Sequence, residues 1–262
     1  MRNMLIVLLF SLRELARSRW LVGYGLFFLA VGWALFYFGA EPDQAAASVL
    51  DLVVFLVPLV SLVVGVLCFY NAREYVDLLL GQPISRRAVF IGQYLGVAIS
   101  LAVPFAIGLG APFLWYGWRE EAIGTLLLLL LAGLILTLIC VALAFLISVG
   151  TEDRLKALGG VVVLWLFFSV IYDGLLLALI MAFPNYQLSR SLAGLVMLNP
   201  LDLARVMILL RLDIAALMGY TGAIFQQFFG TERGLVITLT ALSFWTVVPI
   251  VLGARAYVRR DF

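Results

Sequence analysis

The chain has 262 residues, 65% of them hydrophobic and 12% charged, with a mean hydropathy of +1.15 and a formal net charge of +2. No single soluble core of this size encloses so much apolar surface, and apolar windows of about 20 residues recur along the whole length. With no histidine in the sequence, imidazole-activated nucleophiles, imidazole proton relays and most zinc sites are excluded together.

The fold class this predicts is all-α, a polytopic membrane protein of six transmembrane helices forming a single transmembrane domain over 1–262. Spans are expected at approximately 21–39, 50–70, 91–115, 122–149, 157–182 and 235–257. Helices are required because backbone polar groups in lipid must be satisfied within the segment. Runs such as LLLLLLAGLILTL do not alternate in polarity as barrel strands would.

In chain order, the opening MRNMLIVLLFSLRELARSRW has a short apolar run followed by Arg13, Glu14, Arg17 and Arg19, where a signal peptide would show a small-residue cleavage site. An amphipathic helix in the membrane surface over 1–20 is expected; the alternative is a simple extension of the first span. Between the second and third spans, NAREYVDLLLGQPISRRAVF (71–90) interrupts the apolar sequence with a charged helix, a Gln82-Pro83 break and a return through Ser85, Arg86 and Arg87.

The third span carries Gly92 and Gly96, a close-packing GxxxG, and then Pro104, Gly108, Gly110 and Pro112. A kink or break toward its outer end is expected, serving either packing or a hinge. Cys68 and Cys140 fall singly inside apolar runs and are expected to pack as small apolar residues. The only lysine, Lys156, lacks the glycine pattern of a phosphate-binding loop, so ATP-driven work must come from another polypeptide. No cofactor, metal site or nucleic-acid partner is expected.

Asp173 reads as an ionisable residue near the middle of the fifth span, where an unpaired carboxylate costs about 3 kcal/mol. It either makes a hydrogen-bonded helix contact or lines a substrate path; the second aspartate of an intramembrane protease is absent. Asp51 reads as a helix N-terminal residue near the surface. The segment 183–234 is too long for a turn. Within it Asn199 can cap a helix with Pro200 at its first position. Asp202, Arg205 and Asp213 then share one face, opposite Arg211. That pattern suits an interfacial helix offered to an extracytoplasmic partner, or a lid packed on the bundle.

With both termini in the cytoplasm, twelve of the 17 basic residues fall on inner segments, whereas the first outer loop, AEPDQAAAS, has none. This orientation, in a bacterial inner membrane, is the expected one.

LRELARSRWLVGYGLFF, NAREYVDLLLGQPISRRAVFIGQYLG and LNPLDLARVMILL, in that order around the six spans, resemble the permeases of ABC-2 type exporters. More narrowly they are similar to the Nos-type permeases encoded with nitrous oxide reductase maturation factors. The resemblance implies that 71–90 is a coupling helix seated in a cleft of a separate ATPase subunit, with Arg73, Glu74, Asp77, Arg86 and Arg87 as its charged contacts. It also implies two copies of that ATPase, a second copy of this chain, and an extracytoplasmic β-helical protein on the outer segment, docked through Asp202, Arg205 and Asp213. The cargo would serve assembly of the copper-sulfur centre of the reductase. A general exporter of lipid, drug or peptide, or a membrane scaffold, are the competing readings.

Overall fold

The computed structural model describes residues 2–38, 42–72, 85–116, 120–182, 194–211 and 232–259. Six of its helical stretches are long and apolar enough to cross a membrane, at the six places expected from composition. The helix over Arg2–Ala16 (α1) precedes the first span, Arg19–Tyr37 (α2). The second span lies in Pro42–Asn71 (α3), the third in Arg86–Tyr116 (α4) and the fourth in Glu120–Gly150 (α5). The fifth is composite: Arg154–Leu166 (α6), a π-helical turn at Phe167–Ile171, then Tyr172–Ala182 (α7). A short helix, Pro200–Arg211 (α8), precedes the sixth span, Glu232–Arg259 (α9).

The fourth span is the core of the bundle. Its sequence is apolar on every side and it is surrounded by α3, α4, α6, α8 and α9, as expected of a helix with no polar stripe to turn outward. The three spans that pack least tightly into the described bundle, the first, fifth and sixth, keep large apolar side chains exposed, among them Leu26 and Phe27, Val163 and Leu175, and Val236 and Phe244. Hydrocarbon is as good a solvent for such side chains as another helix, so lipid contact carries no penalty here.

α1 is a helix in its own right, separated from α2 by Arg17 and Ser18. Val7 and Ser11 are buried while Leu5, Ile6 and Leu9 are exposed. Its seat is the GxxxG at the start of the third span: a Cβ on Gly92 would lie 2.8 Å from the Met4 carbonyl oxygen, and one on Gly96 would lie 2.6 Å from Ser11 Cβ. Only glycine admits this approach.

The proline-rich third span does not break; α4 runs through Pro104 and Pro112. Both prolines face glycines of the first span, where a Cβ on Gly25 would stand 3.0 Å from Pro104 Cβ and one on Gly32 would stand 2.8 Å from Pro112 Cγ. Gly108 returns the relationship, its missing side chain making room for the Gly25 carbonyl. The row is a packing surface between first and third spans, consolidated by the edge-to-face pairs Phe28 with Phe105 and Phe36 with Phe113.

Candidate functional site

Two polar clusters occupy opposite ends of the bundle. At the end holding the loop between α3 and α4, the flanks of that loop are tied to three other elements. Tyr70 donates its hydroxyl to the Thr151 carbonyl at 2.9 Å, and Arg154 donates to Asn71 Oδ1 at 3.2 Å. Arg86 reaches the Val258 carbonyl in the last turn of α9 at 3.4 Å, the charge-on-carbonyl contact favoured at helix C-termini. Beneath them Phe69, Phe90, Phe145 and Tyr257 form one aromatic cluster, with ring centroids 5.4 to 6.3 Å apart. Gln93, buried, donates to the Cys68 carbonyl at 3.3 Å. Arg87 is exposed beside them. Arg73, Glu74 and Asp77 lie outside the described residues.

The opposite end is organised by Arg205. Its Nη1 lies 3.1 Å from Asp173 Oδ2 and 3.9 Å from Asp202 Oδ1, and its Nε lies 4.0 Å from Asp51 Oδ1. The guanidinium also sits 5.9 Å from the centre of the Phe55 ring. One cation thus ties α3, α7 and α8, its own helix, together through three carboxylates. Asp51 is nine residues inside α3 rather than at its start, because that helix begins at Pro42.

The depth of Asp173 also differs from the sequence expectation. It follows Arg154 by nineteen residues of nearly continuous helix, and Asp51 precedes Asn71 by twenty. At 1.5 Å per residue both separations are roughly 30 Å, the thickness of a hydrocarbon core. On this count Asp173 lies toward one end of the span rather than at its middle, and it has a partner. Sequence counting placed it too deep because it began the fifth span later and could not see where Arg205 would fold.

Asn199 caps α8 as its sequence suggests, accepting from Leu201 N–H at 3.0 Å. Its amide nitrogen does more, donating to Asp202 Oδ2 and to the Phe168 carbonyl, each at 2.8 Å. The residues just before it are clasped from both neighbouring spans. Tyr172 donates to the Leu195 carbonyl, and Trp245 Nε1 donates to the Met197 carbonyl at 3.1 Å. Tyr172 and Trp245 carried no sequence signal, since aromatic residues near span ends are ordinary membrane-interface features.

α8 is itself buried: Leu201, Leu203, Val206, Met207 and Ile208 are all under 5% exposed, and Asp202 is 8% exposed. Asp202 and Arg205, the residues expected to meet an extracytoplasmic partner, contact side chains of the bundle here. Both charges are turned into the bundle, because carboxylates of α3 and α7 await Arg205 there. Asp213 lies outside the described residues. Burial, and next to it the neighbouring Asp173 carboxylate, push the Asp202 carboxyl up to about 7, while Arg205 and Asn199 pull the other way.

Among the described residues no group of His, Cys, Asp and Glu is arranged to hold a metal ion. Nothing in the sequence supplies a phosphate-binding loop. The described residues thus form a helical membrane bundle with six candidate spans, a hydrogen-bonded aromatic cluster at one end and a buried, charge-pinned helix at the other. The family described as ABC-2 family transporter protein matches residues 6–262, and the chain belongs to it. It is similar to a Pseudomonas aeruginosa protein called "Probable ABC transporter permease protein NosY", 30% identical over 79% of this chain and 82% of that one. A Stutzerimonas stutzeri protein of the same description is 25% identical over 72% of this chain and 75% of its own length. As a family permease, the chain implies an ATP-binding partner subunit.

Proposed function

We propose that the chain is the membrane subunit of a Nos-type exporter, working as a pair of permease copies with two ATPase subunits and serving maturation of the copper-sulfur centre of nitrous oxide reductase. The observation that carries the transport reading is the family match over nearly the whole length. The narrower reading is supported by the two NosY relatives, each matched over more than two thirds of both chains.

In this reading both termini and the 71–90 loop face the cytoplasm, and the Arg205 end faces outward. Arg73, Glu74, Asp77, Arg86 and Arg87 engage the ATPase. The aromatic cluster around Phe145 and the Tyr70 and Arg154 hydrogen bonds then carry motion of the loop into the second, third, fourth and sixth spans as one body. The outer segment receives an extracytoplasmic β-helical protein. Asp202 and Arg205 act there as the internal brace that sets its shape, and Asp213 acts as a contact.

Purification from native membranes tests it. Recovery of an ATPase together with an extracytoplasmic β-helical protein is the expected result. An ATPase alone favours a general exporter of lipid, drug or peptide. Recovery of neither overturns the transport assignment.

A further inference from the structure

The π-helical turn at Phe167–Ile171 lies within the fifth span, immediately before the two residues that clasp the outer segment. In an α-helix the Tyr172 N–H would bind the Phe168 carbonyl; here it reaches back to Phe167 instead. The Phe168 carbonyl, inside the continuous run of helix from Arg154 to Ala182, accepts from Asn199. Ser169 adds a bond from its hydroxyl to the Trp165 carbonyl at 2.7 Å. A π-turn holds one residue more than the α-turn it replaces, so everything beyond it lags by one position.

Two contacts depend on that lag. Tyr172 meets the Leu195 carbonyl and Asp173 meets Arg205. Closing the turn to α would rotate α7 by about 100° and advance it by roughly 1.5 Å, carrying Asp173 away from the guanidinium. Little else opposes such a rotation. The exposed side of α7 bears Leu175, Leu177 and Met181, and its half-buried side bears Tyr172, Asp173, Leu176 and Leu179. If the outer helix leaves, the Phe168 carbonyl loses its donor in an apolar surrounding, and only the α-register restores one.

We propose that the π-turn and α8 form a two-register latch. With α8 seated, Asn199 and Arg205 hold the fifth span in the π register; with α8 released, the turn closes and α7 rotates by one residue. Anything that pulls on the outer segment thereby turns the outer third of the fifth span. The device is internal to the chain and does not depend on which cargo is moved.

Spin labels on single cysteines from Gly174 to Leu179, read by collision with dissolved oxygen in lipid vesicles, report which positions are protected. In the parent chain protection is expected at Leu176 and Leu179. In a double variant, Asn199→Ser with Arg205→Met, where serine keeps a capping oxygen but cannot reach Phe168, protection is expected to move one position, to Leu175 and Ala178. Labels at Gly159 and Gly160, before the turn, should not change. Deleting Val170 removes the extra residue, so protection should stay at Leu176 and Leu179 with or without the double substitution. An unchanged pattern in the double variant overturns the latch, as does loss of periodicity, which would mean unwinding. A shift in the Val170 deletion overturns it as well.

Discussion

Arg205 on α8 and Asp173 on the fifth span stand 3.1 Å apart, although 32 residues separate them in sequence. The pair is half-open, with Asp173 40% exposed and Arg205 20% exposed. Solvent therefore weakens each single contact, and the strength lies in one guanidinium answering three carboxylates.

Removing the cation should accordingly cost more than removing any one carboxylate. Arg205→Met leaves Asp51, Asp173 and Asp202 clustered without compensation and is expected to lower stability by about 1–3 kcal/mol, discounted from the fully buried case for exposure. Asp173→Leu leaves Arg205 two partners and is expected to insert well and cost less than half as much, while transport is lost. Thermal unfolding of the purified chains in detergent gives the order; equal costs would mean that Arg205 does not organise the cluster.

The Asp202 carboxyl makes the seating of α8 dependent on pH. Its folded value, about 7, lies above the ordinary carboxylate value. The contribution of its protonated form is therefore complete below about pH 4 and is lost as pH rises through about 7. The unfolding temperature is expected to fall between pH 5 and pH 8.5 relative to Asp202→Asn, whose curve should be flatter over that window. Parallel curves would remove Asp202 from the account.

Close helix contact makes a third expectation. Gly108→Ala pushes a methyl group into the Gly25 backbone and should destabilise by about 1–3 kcal/mol. Gly23, on the same first span, has open space where its side chain would be, so Gly23→Ala should be neutral or slightly stabilising. A denaturation series on the two variants separates a packed glycine row from a merely flexible one.

At the other end, reversal of Glu74 and Asp77 to lysine should abolish stimulation of the partner ATPase while leaving the six spans folded. ATPase co-purification and hydrolysis in proteoliposomes measure it, and wild-type values would reassign the coupling contacts.

Composition alone shows the six spans, because a 20-residue apolar run has few alternatives. The sequence leaves Pro104 and Pro112 open between packing and a hinge, and it gives Gly92 and Gly96 a close contact without saying against what. Gly92 answers Met4 and Pro104 answers Gly25, and no periodicity names a partner on another helix. The same limit hid the Arg205 cluster. Asp51, Asp173 and Arg205 come from three elements, so Asp202 and Arg205 read as surface charges until the fold showed carboxylates waiting for them. The π-turn leaves no trace in FFSVI, and the Asn199 that meets its Phe168 carbonyl comes from outside the helix.

The seat of α1 on Gly92 and Gly96 has a consequence in time. The helix over Arg2–Ala16 leaves the ribosome ahead of its seat, which is made some 76 residues later. At about 5–20 residues per second that is roughly 4–15 seconds of synthesis. Through that interval Leu5, Ile6 and Leu9 and the face that will meet the third span have only lipid to rest on. This helix is thus translated well before it can find its place, and its docking records that the third span has arrived.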